Sequence, residues 1–458
     1  MKLCCETPRL MLSAVSSNCG KTTMTAALLA AFKQRGLIVQ SYKSGPDYID
    51  PMFHSHITHR STYHTDPYFS SSEQMSEIVA NTSANADIAL IEGAMGFYDG
   101  IGQTSEASAY TVSQSLQTPV LLLVSPQGMG CSVAALCKGY LSFRTPNQIR
   151  GILLNRIKSG MYSYYREIIE RETGIPVYGY LPDLPQVSLE SRHLGLMTAG
   201  EVEKLDEKIK LLCETAEETV DLNGILKLAS QASALYYTQP PQYSEKTFRL
   251  GVAQDKAFCF YYAENLDMLK YYGAQIVPFS PLDDKSLPDG LDGLYLGGGY
   301  PELYLQQLSG NHSFLESLRK ASIMKIPVFA ECGGFLYLQQ AIYDKDGTEY
   351  PMAGILPGLS RLGKRLCRFG YIELTARENT LLGKKGTKIL AHEFHYADST
   401  ENGDAFMARR PSGRQWAAIQ SSEHILAGFP HLYFPSNPAV PQNFAEACLK
   451  FRRGREGR

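Results

Sequence analysis

No stretch of this 458-residue chain is apolar for long enough to span a bilayer. The longest runs, such as TPVLLLV at 118–124, suit buried parallel strands instead. The opening MKLCCETPRLML lacks a charged flank followed by a long apolar run, so no secretory leader is expected and the cytoplasm is the expected compartment. Ten cysteines never fall as C-x-x-C, which speaks against a zinc ribbon, and in a chain of this size a disulfide scaffold is not expected either. Charge of one sign is missing too. The formal net charge is −2, so neither a basic field for nucleic acid nor an acidic arm is present. The one basic run, KFRRGREGR at the C-terminus, reads as a frayed end. Glycine is missing from one telling place: in AVSSNCGKTT (14–23), Val15 stands five residues before Gly20, where a phosphate-binding loop calls for glycine.

What is there is an ordinary soluble composition, 44% hydrophobic and 20% charged, in a chain too long for one compact core. Short apolar runs alternate with amphipathic segments, which predicts α/β architecture with parallel sheets. Strands are expected at 9–15, 37–43, 87–92, 119–124 and 150–155. Residues 21–35 carry Met24, Leu28, Ala31 and Phe32 at helical spacing and stop at Gly36. Periodicity fails around LYYTQPPQYSEKTF (235–248), then resumes with strands at 249–255, 275–281 and 293–299 and a helix near 263–272. The expected layout is therefore a domain over 1–235, a linker over 236–247 and a second α/β domain over 248–458.

The loop at 14–23 follows an expected strand and opens an expected helix, the setting in which a helix N-terminus binds phosphate. Gly20 permits the turn, Lys21 reaches the terminal phosphates and Thr22 offers a hydroxyl to Mg²⁺. YKSGPDYIDP (42–51) adds Lys43, Asp47 and Asp50, and LIEGAMGFYDG (90–100) adds Glu92 at a strand end and Asp99 in a turn. In open α/β sheets ligands sit beyond the carboxyl ends of strands, so Lys21, Lys43, Asp47 and Glu92 are expected in one crevice. Carboxylates beside phosphates suit magnesium. For Glu92 a solvated strand-end acid, and for Asp99 a cap on the YDG turn, are the bland alternatives.

VFAECGGF (328–335) is an apolar strand running into Cys332-Gly333-Gly334 and a helix, a thiol version of the nucleophile elbow. The helix N-terminus is expected to lower the thiol pKa and supply thiolate near neutral pH. LYLGGGYPE (294–302), with Gly298 and Gly299, offers oxyanion-hole amides. A base must come from His392, His395, His424 or His431, and spacing alone does not choose.

SSNCGKTT, KSGPDYIDPMFH, EGAMGFYDG, ESRHLGL, YLGGGYPELY, AECGGFLYL, AHEFHY and GFPHLYF, in this order, resemble the signatures of the cobyrinate a,c-diamide synthase family over essentially the whole chain. The resemblance implies a dethiobiotin-synthetase-like P-loop domain joined to a class I glutamine amidotransferase domain of flavodoxin-like fold. It implies that glutamine is hydrolysed at Cys332, that ATP phosphorylates acetate carboxylates of a corrin ring, and that ammonia displaces the phosphate at the c and a positions. By the same resemblance Ser17, Gly20, Lys21, Thr22, Thr23 and Lys43 hold ATP. Thr22, Asp47 and Glu92 hold Mg²⁺, Asp47, Tyr48 and Asp99 face the corrin, Gly298 and Gly299 face glutamine, and His431 is the catalytic histidine. ESRHLGL, with Arg192 and His193, carries no role that can be derived.

The chain departs from the family pattern at Ala14, Asn18, Ser125 and Tyr433. Asn18 can take the left-handed turn in place of glycine. Tyr433 replaces the acid that many class I enzymes carry two residues after the histidine, which implies a Cys–His dyad with a less firmly oriented imidazole. Two other readings stand beside this one: the same chemistry on another tetrapyrrole such as nickel sirohydrochlorin, and a P-loop regulatory ATPase with an inactive amidotransferase-like module. Intact Cys332 and His431 speak against the second. A homodimer follows only from analogy with P-loop relatives.

Overall fold

The computed structural model describes residues 2–187, 191–192, 195–196, 202–238 and 244–456, so His193 lies outside the described residues. The chain divides into two compact units, Met1–Pro240 and Pro241–Arg458. No helix among the described residues is long and apolar enough to cross a membrane.

Unit 1 is built on a seven-stranded parallel sheet. In spatial order its strands are Tyr63–His64, Val39–Lys43, Ile88–Glu92, Arg9–Ala14, Val120–Val124, Ile149–Asn155 and Val177–Leu181. The central strands are buried throughout, which is why they read as continuous apolar runs with no alternation. Helix Lys21–Gln34 is buried over Met24–Phe32 and ends beside Gly36 at φ 81°, the glycine expected to stop it. Strand Lys2–Cys5 pairs antiparallel with Leu235–Thr238, so the first residues of the stretch expected as linker are a strand.

Unit 2 holds a six-stranded sheet ordered Ala274–Phe279, Phe248–Ala253, Gly293–Leu296, Val328–Glu331, Ile425–Gly428 and Gln420–Ser421, parallel except for the last. A second, wholly antiparallel sheet runs Gln415–Ala418, Phe406–Arg409, Arg368–Ala376, Lys388–His395 and His431–Leu432. Within the described residues the basic C-terminal run does not fray. Helix Ala439–Glu456 carries it, with Arg452 on Glu456 at 2.7 Å and Arg455 on buried Asp292 at 3.0 Å.

Candidate active sites

In unit 1 the carboxyl ends of neighbouring strands meet at the start of helix Lys21–Gln34. Asn18 takes φ 63° and Gly20 takes φ 89°, so two left-handed residues turn the loop although Val15 lacks a glycine's freedom. A Cβ on Gly20 would stand 2.2 Å from Asn155 Nδ2, whose amide donates to Cys19 O at 2.7 Å. Strand Ile149–Asn155 thus holds the loop from the side. Lys21 Nζ donates to Ser16 O and Met95 O, while Ser17 lies exposed and Thr23 half-buried.

Lys43 and Glu92 are direct partners in strand register. Lys43 Nζ lies 3.0 Å from Glu92 Oε1, bonds Asp50, and stands 3.6 Å from Asp47 Oδ2. Thr22 Oγ1 is 3.1 Å from Asp50 Oδ1 and 3.2 Å from Glu92 Oε1. His54 Nε2 sits 2.8 Å from Glu92 Oε2, with both side chains fully buried. Burial opposes ionisation of Glu92, but Lys43 and His54 outweigh it and hold the carboxyl below its usual range. Burial and the charges of Asp47 and Glu92 push Asp50 well above its usual range. Lys43 stays protonated, its burial outweighed by Asp50, Glu92 and Asp47. Three carboxyl groups thus crowd around the Lys43 ammonium, and Lys21 stands close enough to feel the charge of Glu92.

Asp47, expected among the magnesium ligands, turns its Oδ1 to the amides of Ile49 and Asp50 at 2.8 and 3.3 Å and caps the helix Ile49–Thr58. The structure brings Asp50, on the first turn of that helix, against Thr22 instead. Tyr48 is the buried residue before the helix, and Asp99 Oδ2 accepts the Gly96 amide at 3.0 Å, closing its own turn.

In unit 2, Cys332 takes φ 46° and ψ −103° between strand Val328–Glu331 and helix Gly333–Leu338. A non-glycine residue in that region is strained, as nucleophile elbows are. Strand register sets the histidines at different distances along the chain from the elbow. Val328 pairs with Ile425 and Glu331 with Gly428, and the Cys332 amide bonds Gly428 O at 2.8 Å. His424 therefore lies at the far end of the elbow strand, while His431 follows three residues after the point where the chain meets Cys332. His392 is the register partner of His431 in the antiparallel sheet. His395 stacks on Phe429 with ring centroids 3.8 Å apart and bonds Ala397 O through Nδ1, and burial lowers its pKa to about 4. The His431 ring lies so close to Gly298 that a Cβ there would stand 2.3 Å from its Cε1. Gly299 N lies 3.3 Å from where a Cβ on Gly333 would be, so the glycine-rich strand end borders the elbow.

The expectation of a ready thiolate is corrected. Burial, with Glu302 nearby, pushes the Cys332 thiol up, and burial with His392 and His395 lowers His431 to about 3. A six-residue helix does not offset that desolvation, so the resting pair is thiol and neutral imidazole.

Residues 10–196 match the CobQ/CobB/MinD/ParA nucleotide binding domain, and residues 249–439 the CobB/CobQ-like glutamine amidotransferase domain. Three curated relatives bear the name cobyrinate a,c-diamide synthase. That of Dehalococcoides mccartyi strain CBDB1 is 38% identical, with 97% of this chain and 99% of the relative covered. That of Picrophilus torridus is 38% identical over 96% and 98%, and that of Caldanaerobacter subterraneus 35% over 97% and 99%. The chain belongs to the cobyrinate a,c-diamide synthase family.

As in any cobyrinate a,c-diamide synthase family member, the motifs lie in order along the chain, but they gave no separate role to Asp50, His54 or Glu331, which the structure brings to these two places. Asp50 stands within the KSGPDYIDPMFH signature, but which of its two acids turns inward depends on where the helix begins. His54 follows Asp50 by four residues, the spacing that puts two side chains on one helix face, and that signal could have found it. In unit 2, Glu331 is an acid at the end of a fully buried strand. Its Oε1 accepts the Leu432 amide at 2.6 Å and its Oε2 the Tyr295 hydroxyl at 2.7 Å, and burial raises its pKa to about 8.

Proposed function

We propose that the protein amidates the a and c acetate groups of cobyrinate with nitrogen from glutamine, driven by ATP through acyl phosphates. What supports this reading is one chain holding both a phosphate loop whose Thr22 meets two buried carboxyl groups and a cysteine elbow whose neighbouring strand runs on to His431 three residues later.

At the elbow, the Cys332 proton passes to His431 as sulfur attacks the glutamine carboxamide, since neither group is charged at rest. Amides at Gly298 and Gly299 are the donors for the developing oxyanion. The C–N bond breaks, ammonia leaves with the proton that His431 returns, and water releases glutamate from the thioester. At the phosphate loop, a substrate carboxylate oxygen takes the γ-phosphoryl group and ADP leaves. Ammonia then attacks the acyl carbon and phosphate departs, leaving the amide. Lys21 and Lys43 neutralise phosphate charge as it moves.

Magnesium fits the oxygen donors of Thr22, Asp50 and Glu92. The crowding of Asp47 and Glu92 on Asp50, which adds to burial in raising it, is what a divalent cation would relieve. When bound it would neutralise charge on the β- and γ-phosphates. Among the described residues no group of three acid, histidine or cysteine side chains forms a ready cage, as suits an ion that takes its remaining ligands from phosphate and water.

The deciding experiment supplies ATP with either glutamine or ammonia and follows diamide formation by mass, using cobyrinate in one arm and nickel sirohydrochlorin in another. Cys332→Ser is expected to abolish glutamine-supported turnover and to leave ammonia-supported turnover largely intact; loss of both sinks the two-site scheme. Diamide from the nickel compound alone moves the substrate, and ATP hydrolysis at full rate without any carboxylic tetrapyrrole overturns the ligase reading.

A further inference from the structure

Tyr433 stands where an acid commonly steadies the catalytic histidine, so something else must hold the His431 ring at the elbow. The backbone that carries it is gripped from two sides. On one edge, strand His431–Leu432 pairs with His392 and Ala391, and Tyr433 N donates to Leu390 O at 2.9 Å. The Leu432 amide points the other way, where no strand among the described residues pairs with it, and Glu331 Oε1 accepts it at 2.6 Å. The Leu432 carbonyl accepts from Asn265 Nδ2 at 2.7 Å, and Asn265 Oδ1 takes the Phe434 amide at 2.8 Å. Glu331 is itself fixed by the Tyr295 hydroxyl at 2.7 Å. Glu331, Asn265 and Tyr295 are all buried.

We propose that Glu331 is a positioning residue for glutamine hydrolysis: it ties the backbone of the histidine to the strand that ends in Cys332, in place of the acid missing at position 433. The residue is peptide-bonded to the nucleophile and hydrogen-bonded to the peptide next to the base, so one side chain sets the separation of the two. A buried carboxyl is costly at a strand end where an aliphatic side chain would pack, and two accepted hydrogen bonds are what offset that cost. The slot is narrow, because the ring already fills the space that a Cβ on Gly298 would need. A displacement of about 1 Å at such a site can lower turnover about 100-fold.

The inference rests on Cys332 and His431 being the glutaminase pair, and the test separates the two. Full-length Glu331→Leu, Glu331→Gln, Tyr295→Phe and Cys332→Ser are assayed with glutamine and with ammonia, with melting temperature recorded for each. Glu331→Leu removes the acceptor at similar volume, and kcat with glutamine is expected to fall about 100-fold. Its KM for glutamine should stay within about threefold of the parent and ammonia-supported turnover should be unchanged, since the pocket and the ATP site keep their contacts. Glu331→Gln still offers an acceptor to Leu432 and a donor to the Tyr295 oxygen, so glutamine turnover should return to within about threefold of the parent. Glutamine turnover of Glu331→Leu at the parent level, or equal losses with both nitrogen sources, overturns the proposal. Failure of Glu331→Gln to rescue overturns it as well. Should Glu331→Leu not fold, Tyr295→Phe decides: about a fivefold loss in glutamine kcat alone supports the role, and no change refutes it. If Cys332→Ser keeps glutamine turnover, the pair itself is wrong, whatever the Glu331 variants do.

Discussion

The two sites solve burial in opposite ways. In unit 1, Lys43 and Glu92 are buried as opposite charges that offset one another's desolvation, with His54 against Glu92 and with Asp50 pushed toward its neutral form, and Glu92 stays ionised at zero exposure. In unit 2, Cys332, His431 and Glu331 are buried without opposing charges, and each moves toward its neutral form. The difference follows what each site must hold. A triphosphate arrives charged and is met by charge. A glutamine side chain is neutral, and charge need exist only while the C–N bond breaks.

Four experiments can break or sharpen that contrast. The largest effect is expected from Lys21→Ala, which should lower amidation roughly a thousandfold with glutamine and ammonia alike, because the phosphate loop loses its cation. Retained ammonia-supported amidation would remove Lys21 from the ATP site. Next is Glu92→Ala, which leaves Lys43 and His54 without their shared partner and should cost about 3 kcal/mol in urea unfolding followed by a unit 1 probe. A change under about 1 kcal/mol would show that the cluster does not stabilise the fold. Gly298→Ala should then lower glutamine-supported kcat about 100-fold with ammonia-supported turnover kept, since the new methyl group displaces the His431 ring.

The smallest effect is a pH dependence. Glu331 has a folded pKa of about 8, above its unfolded value, so it costs nothing below that unfolded value. As pH rises toward 8, the unfolded chain gains stability by ionising and the folded one does not. Glu331→Gln lacks this penalty, so its melting temperature relative to the parent should rise by several degrees between pH 5 and pH 8. A difference that is flat with pH would place an ionised Glu331 in the fold.

Much of this is legible in the sequence. Buried parallel strands announce themselves as apolar runs, and a loop that follows one and precedes a helix needs little more than Gly20, Lys21 and Thr22 to be read. Asn18 was legible for a physical reason, as few residues other than glycine tolerate its φ. Asp50 was not separable from Asp47, because which of them faces inward is set by a helix boundary, and boundaries shift by a residue or two in any reading of a sequence. The antiparallel sheet of unit 2 went unread although Arg368–Ala376 alternates in burial toward its end, since attention to parallel runs hides a period of two. Glu331 was invisible for another reason: nothing in the chain order says that its side chain reaches a peptide 101 residues away.

The resting state of Cys332 also decides how the protein meets reactive chemicals. Peroxide and alkylating reagents attack thiolates, and a buried protonated thiol is a poor target for both. Cys4, Cys131 and Cys367 are exposed and will take up such reagents first. Counting modified thiols therefore says little about the elbow, and loss of glutamine-supported turnover is the measure that reports on it. Glutamine, which must call the thiolate into being, is expected to act as the sensitiser: a sample stored without it keeps its nucleophile in the protected form.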